Sequence, residues 1–325
     1  MEISVVLSNE LIDKEWIEIT DGFNQCFDTQ KQPADMKNYY SSSILGYCFH
    51  AICRNLSNEI IAHSSIFPYK YCVIDKEYLF GLSGGSYVLK EFRKEAFLYV
   101  DLIEALKERS LKEGVVVTYG VPNENSFELT TDFLGSTFLK YLHFYLLPIS
   151  FSSLNPRIKI AFLDKVSSIL ATCWIGINAI NSTIVDSIEP VKPVQLLRTE
   201  EVKNLRFGDK YKNVKQSEYR GVYRIVEEQG VKTAYVMDFR KNERRSYRAL
   251  VFLVRYILNT EKVDAILFVG QLSFFQMLLI KVPQRFVPQR LPITYDILDK
   301  SSNEFVRMVS NPDNWDFSLM NFDAR

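Results

Sequence analysis

Between Tyr78 and Tyr119 the chain reads as a strand, a helix and a second strand, and that succession admits few folds. Tyr78–Val88 is a long strand that contains Gly81, Gly84 and Gly85. Three glycines weaken a strand, so they predict a bulge or a close approach by another group. Arg93–Glu113 has the helical period. Phe97, Tyr99, Leu102, Ile103, Leu106 and Leu111 fill one side, and Gly114 ends it. Val115–Tyr119 is a β-branched run closing on Tyr119, suited to a strand buried on both faces. A strand–helix–strand connection crosses over, so the two strands are expected to lie parallel.

The elements before this unit read as a strand at Ile3–Ser8, helices at Asp13–Phe27 and Ala34–Ser41, and strands at Gly46–Arg54, Glu59–Pro68 and Tyr69–Asp75. After it come a sharp exit at Gly120-Val121-Pro122-Asn123, a short helix at Asn125–Leu134 stopped by Gly135, and a strand at Phe138–Leu147. The second half repeats this order. Tyr219–Glu227 and Val231–Phe239 pair around Gln229-Gly230, Arg244–Leu258 is a helix, and Ala265–Val269 is a buried strand ending at Gly270. A short helix at Ser273–Ile280 and strand-like segments at Arg285–Val287 and Ile293–Leu298 follow. An internal repeat of this kind predicts a duplicated fold. The expected division is a first domain at 1–150, a connecting helix and linker at 151–189, and a degenerate second domain at 190–325. The class is α/β (α+β), with two mixed sheets flanked by helices.

Composition narrows the function. A chain of 325 residues suits two domains. Lys+Arg and Asp+Glu are both 39, so the formal net charge is zero and no nucleic-acid partner is expected. The five cysteines form no CxxC pair, which fits a reducing compartment. The start, MEISVVLSNELIDKEW, has no basic segment followed by a long apolar core, so the expected location is cytoplasmic. His50, His63 and His143 are not spaced as metal ligands, and no metal site is expected. The most apolar stretch runs from Ile158 to Ile180, and its charge-free part, Val166–Ile180, has 15 residues. A membrane span needs about 20. The stretch is therefore read as a buried or amphipathic helix, with no transmembrane segment.

The chemistry concentrates in Ser83–Phe138. A strand ends at Val88, a basic turn carrying Arg93 and Lys94 follows, and a helix begins. Unpaired N–H groups at a helix start sit at its positive end and can hold a pyrophosphate. Asn123 either caps the short helix after it or donates to a ligand, and the two roles are compatible. Arg240, Lys241, Arg244, Arg245 and Arg248 form a second basic cluster, read as a solvated face or as an anion site.

The Arg-containing turn and long helix at Val88–Gly114, the strand at Val115–Tyr119, and YGVPNENS at 119–126 with Leu134-Gly135 beyond it resemble the GCN5-related N-acetyltransferase superfamily. The resemblance covers the first half by motif and the second by topology, which suggests a tandem arrangement. It implies transfer of an acetyl or other acyl group from acyl-coenzyme A to an amine on a small-molecule acceptor. An amino sugar in a cell-surface polysaccharide pathway is the leading acceptor class. It also implies that the acyl carbonyl meets backbone donors near Ser86, Tyr87 and Val88. The diphosphate would meet Arg93, Lys94, Glu95, Ala96 and Phe97, and the pantetheine arm would meet Asn123 and Ser126. The turn departs from the family's Arg-x-x-Gly-x-Gly/Ala pattern, because Ala96 and Leu98 replace both glycines. The tyrosine that many members place on the short helix corresponds to a position near Thr130. Candidates for proton transfer are His63, Asp323, Tyr119 and Tyr87, with the terminal carboxylate of Arg325 as a further one. Two other readings stay open: an aminoacyl-tRNA-dependent transferase of the peptidoglycan type, and a non-catalytic binding protein of the same fold.

Overall fold

The computed structural model describes residues 1–41, 43–95, 97–150, 161–188, 191–199, 202, 208, 210–242 and 244–322. Strand β1 (Glu2–Leu7) leads to helix α1 (Asp13–Phe27), which buries Trp16 and Ile19, and then to α2 (Pro33–Ser41), which starts on a proline. Strands β2 (Phe49–Arg54), β3 (Ile60–Val73) and β4 (Lys76–Val88) form an antiparallel meander. Ile74 and Asp75 turn β3 into β4 with φ of 49° and 63°, the left-handed pair that a two-residue hairpin demands. Helix α3 (Leu98–Lys112) buries Leu98, Leu102 and Leu106, one residue per turn, in the core with Phe49, Ala51, Ile61 and Val115. Strand β5 (Val115–Gly120) returns parallel to β4. Helix α4 (Glu124–Glu128), a π-helical turn at Leu129–Phe133 and strand β6 (Thr137–Pro148) follow.

The chain then enters helix α5 (Ala161–Ile188), the short strand β7 (Val194–Leu196), and an antiparallel set made of β8 (Lys212–Gln216), β9 (Tyr219–Glu228) and β10 (Val231–Lys241). A two-residue strand, β11 (Arg244–Arg245), precedes helix α6 (Tyr247–Thr260) and strand β12 (Ala265–Gly270), which lies parallel to β10. Strands β13 (Ile280–Lys281) and β14 (Leu291–Ile297), helix α7 (Asn303–Ser310) and strand β15 (Trp315–Asp316) complete the order.

Two compact units result. The first comprises Met1–Tyr141, Pro193–Arg206 and Leu291–Trp315, and the second comprises Leu142–Lys192, Phe207–Arg290 and Asp316–Arg325. Within the first, β14 pairs antiparallel with β5, Thr294 opposite Gly120 and Ile297 opposite Val117. Within the second, β12 pairs antiparallel with β6 from His143 to Pro148. Each unit therefore has antiparallel strands, a crossover helix, a parallel strand, and a last strand supplied from the other half of the sequence. The sequence reading placed β14 with the second half and closed the first with β6. The observed pairing places β14 in the first unit and the part of β6 from Leu142 in the second, while Thr137–Tyr141 stays in the first.

Other expectations also change. Glu59–Pro68 and Tyr69–Asp75 are one strand, and Pro68 lies between the stretches of β3 paired to β2 and to β7. A proline without an N–H fits such a gap in the ladder. Ser273–Leu279 is a series of turns leading into β13 where a helix was expected, and Gln284–Phe286 is a 3-10 turn where a strand was expected. Helix α5 is longer than anticipated, because the uncharged run continues past Ile180 to Val185. Val166–Asp186 is long and apolar enough to cross a membrane by length and composition, with 28% of its apolar window buried.

Candidate active site

Strands β4 and β5 are paired only from Leu79 opposite Val115 to Leu82 opposite Tyr119. Beyond that point β4 runs on to Val88 while β5 ends at Gly120 and turns away. The parting opens a cavity of about 860 Å³ within the first unit. Ser83–Val88 forms one wall and Tyr119–Asn123 another, with the first turns of α3 and the α4 region completing it.

The pairing of β3 with β4 shifts between His63 opposite Tyr87 and Ser65 opposite Gly84, so β4 carries one extra residue at the lip of the cavity. This is a β-bulge. Gly85 adopts φ 63° there, and a Cβ would strike the Tyr40 hydroxyl, so the bulge requires glycine. The bulge carbonyls are held from β3. Ser65 Oγ donates to Gly84 O at 2.7 Å, and His63 Nδ1 donates to Gly85 O at 3.0 Å. His63 Nε2 must then accept, and its partner is His50 Nδ1 at 2.9 Å. His50 Nε2 in turn lies 2.8 Å from Ser8 Oγ, which donates to it and accepts from Cys48 N at 2.9 Å. Because a carbonyl only accepts, every proton in the chain points toward Gly85. Burial lowers both imidazoles, His63 to about 4.

The basic turn is not the first turn of the helix. Lys90–Phe92 forms a 3-10 turn, and α3 begins at Leu98, after Phe97 at φ 70°. A left-handed residue cannot continue into a right-handed helix, which moves the start past Arg93. No side chain caps α3, and its first i to i−4 bond is Asp101 N to Phe97 O at 2.8 Å. The amides of Tyr99 and Val100 therefore precede the helical bonding, and both residues line the cavity. Arg93 Nε donates to Val88 O at 2.9 Å, fixing the turn to the end of β4. Lys94 is exposed and lines the cavity with Glu95. Ala96 lies outside the described residues.

Tyr99 on α3 is a cavity residue that the sequence reading counted only as helix filling. It is hydrogen-bonded to Ser86, and burial raises its phenol above the ordinary range. Ser86 Oγ also lies 2.7 Å from Ser64 Oγ. A chain of three hydroxyls thus ends at the cavity wall. Further along, Lys107 Nζ and Ser136 Oγ each lie 2.8 Å from Asp296 Oδ2, forming a second polar group in the wall. Asp296 is on β14, so this cluster depends on the strand contributed from the other half of the sequence and escapes a local motif search.

The predicted residues are mostly brought together. Ser86, Tyr87, Val88, Arg93, Lys94, Glu95, Phe97, Asn123 and Ser126 all line the cavity. Asn123 is the cap of α4, with Oδ1 accepting from Ser126 N at 2.9 Å and from Ser126 Oγ at 3.0 Å. The cap uses Oδ1 and leaves Nδ2 without a hydrogen bond among the described residues. Among the proton-transfer candidates, His63 is fully buried, does not line the cavity and has both ring nitrogens engaged. Tyr87 packs its hydroxyl against α1, where a Cβ on Gly22 would lie 2.5 Å from it, with no hydrogen-bond partner among the described residues. Tyr119 is buried with its ring against Tyr71 and Trp315. Asp323 and Arg325 lie outside the described residues.

The second unit differs at the corresponding helix start. Ser246 caps α6, accepting from Ala249 N, and Asp186 of α5 accepts from Ser246 Oγ at 2.5 Å and Tyr247 N at 2.7 Å. An internal carboxylate occupies the place where α3 is open. Two members of the basic cluster are likewise committed. Arg240 pairs with Asp238 and Asp316, and Arg245 with Asp316 and the Gln271 carbonyl. Internal ion pairing thus engages these two arginines of the cluster.

No protein-family model and no curated protein significantly matches the sequence. Solved structures do match the fold. A GCN5-related N-acetyltransferase from Kribbella flavida aligns with TM-score 0.60 and 13% identity, over 92% of this chain and 72% of that one. One from Anabaena variabilis ATCC 29413 gives TM-score 0.59 and 10% identity, over 92% and 73%. A conserved protein of unknown function from Enterococcus faecalis V583, described as a probable N-acyltransferase, gives 0.56 and 13%, over 92% and 73%. With its mixed sheets flanked by helices, this chain has the fold of the GCN5-related N-acetyltransferases.

Proposed function

We propose that the first unit binds an acyl-coenzyme A in the β4/β5 cavity and transfers its acyl group to an amine. One observation carries the reading. The parted strands, the bulge at Gly85 and the uncapped start of α3 all face a single cavity. The α3 amides and Lys94 suit the diphosphate, and the space between the strands suits an extended pantetheine arm. An acetyl group is the first donor to test, and an amino sugar is the first acceptor class. The transfer forms a bond from the acceptor nitrogen to the thioester carbonyl carbon and breaks the bond from that carbon to sulfur. The nitrogen loses one proton and the departing thiolate gains one. Backbone N–H groups at the bulge would stabilise the carbonyl oxygen as it becomes negative. Tyr99, a cavity phenol hydrogen-bonded to Ser86, is suited by position to give the thiolate its proton.

Thermal unfolding with acetyl-coenzyme A, with coenzyme A and ATP as controls, tests the donor site. At about 100 times its dissociation constant a ligand stabilises by roughly 2.7 kcal/mol. A shift with both coenzymes and none with ATP is expected. Lys94→Glu should reduce it, and Tyr99→Phe should keep the shift while lowering turnover roughly 100-fold. No shift across a range of acyl chains would remove the donor site and leave a binding protein of this fold.

A further inference from the structure

Helix α5 of the second unit is built inside out. Its buried stripe is small or polar at most positions: Ser167, Ala171, Asn178 and Ser182, with Ile175 and Val185. Its exposed stripe is apolar. Ile169, Ile177, Ile180 and Ile184 are 63%, 59%, 75% and 60% exposed and recur at helical spacing. An apolar face wider than a scattered surface isoleucine marks an interaction site. The polar stripe is used to dock the helix lengthwise on its own unit. Asn178 Oδ1 accepts from Tyr247 OH at 2.5 Å, and Asp186 caps α6. A helix held along its length against a folded unit cannot stand across a bilayer, although Val166–Asp186 has the length for it.

A neighbouring segment is also exposed and apolar. Trp174 Nε1 donates to Leu278 O at 3.1 Å, and Asn181 Nδ2 donates to Phe275 O at 2.9 Å, so the segment Gln271–Arg290 meets the helix at Phe275 and Leu278. It exposes Phe274 and Phe275 at 85% and 55%. It also carries Lys281, Arg285 and Arg290 and no Asp or Glu. Aromatic and aliphatic side chains with basic residues beside them are the composition of an interfacial membrane anchor. A second copy docking through this face would bring its basic residues toward the same face, with no carboxylate in Gln271–Arg290 to pair with them.

We infer that the exposed face of α5 and Gln271–Arg290 seats the second unit on an anionic lipid surface, with the helix lying in the interface. The test is co-flotation of the full chain with phosphatidylcholine vesicles, with and without phosphatidylglycerol, beside gel filtration of the free protein. Binding that requires phosphatidylglycerol is expected. Lys281→Gln and Arg285→Gln should each weaken it about five-fold. Ile177→Glu with Ile180→Glu should abolish it without lowering the melting temperature, since both side chains are exposed. Equal binding to both vesicle types, or none to either, would overturn the inference. So would a dimer that the isoleucine variants split into monomers while vesicles capture neither form.

Discussion

At the scale of single residues, the bulge that shapes the cavity is held by an uncharged histidine pair. His63 is buried, and its pKa is lowered from 6.5 to about 4, chiefly by desolvation. His50 is lowered in the same direction by burial and by His63. Protonation of His63 would put a donor on Nε2, against the His50 Nδ1–H, and protonation of His50 would put one on its own Nε2, against the donating Ser8 hydroxyl. In the unfolded chain each histidine titrates near 6.5, so between that value and about 4 the unfolded state binds more protons than the native one. The stability linked to His63 is fully present above pH 6.5 and is lost as pH falls toward 4. Its size is about 3 kcal/mol. Melting temperature should fall across that window, and His63→Gln should flatten the fall. An equally steep acid transition in the variant would show that other groups control it. The sequence suggested His63 as a base because an ordinary imidazole pKa suits that role, and its partner is not adjacent in the chain. Only the β2/β3 register, with Ile52 opposite His63, brings His50 within reach.

At the scale of elements, two crossover helices of like position have opposite starts. Helix α3 begins without a cap, after a left-handed Phe97, and faces a cavity. Helix α6 begins under Ser246 and Asp186. The N-terminal amides and helix dipole favour an anion at both places, and α6 has supplied its own. This gives a physical reason for placing the proposed donor site in the first unit alone. Asp186→Ala should remove the carboxylate from the α6 amides and lower stability by about 1–2 kcal/mol. Acetyl-coenzyme A should still shift the melting of the variant. A neutral effect on melting would mean that Ser246 caps α6 sufficiently by itself. The strand–helix–strand order of both units was legible because hydrophobic period and glycine stops report local structure directly. The start of α3 was not. Arg93 and Lys94 suit a first helical turn by composition, whereas the backbone reversal at Phe97 has no glycine or asparagine to announce it.

At the scale of the whole chain, sequence order and spatial order separate. The duplicated pattern was readable, yet a division at 150 assumed that each repeat keeps its own last strand. Periodicity says that Phe138–Leu147 and Ile293–Leu298 are strands, but it does not say which edge each one joins. The outer edge of β5 is filled by β14, which contributes the buried Ile293 and Tyr295 and the cavity residues Thr294 and Asp296. Trp315, fully buried, adds its ring to Tyr71, Phe80, Tyr119 and Tyr295. A fragment ending at residue 150 lacks all of these and also β7 beside β3. It would leave β5 as an open, largely apolar edge, a hazard for aggregation. It would also lose large buried side chains, each worth about 3–5 kcal/mol in a core. That loss is comparable to the whole stability of an ordinary domain, about 5–15 kcal/mol. Fragment 1–150 should therefore show no cooperative melting and no shift with acetyl-coenzyme A. Co-expression of residues 291–325 should restore both in part, because that segment supplies β14 and Trp315. A fragment 1–150 that melts cooperatively and keeps the ligand shift unaided would show that the first repeat can close its own sheet, and that the crossing of strands is dispensable for the site.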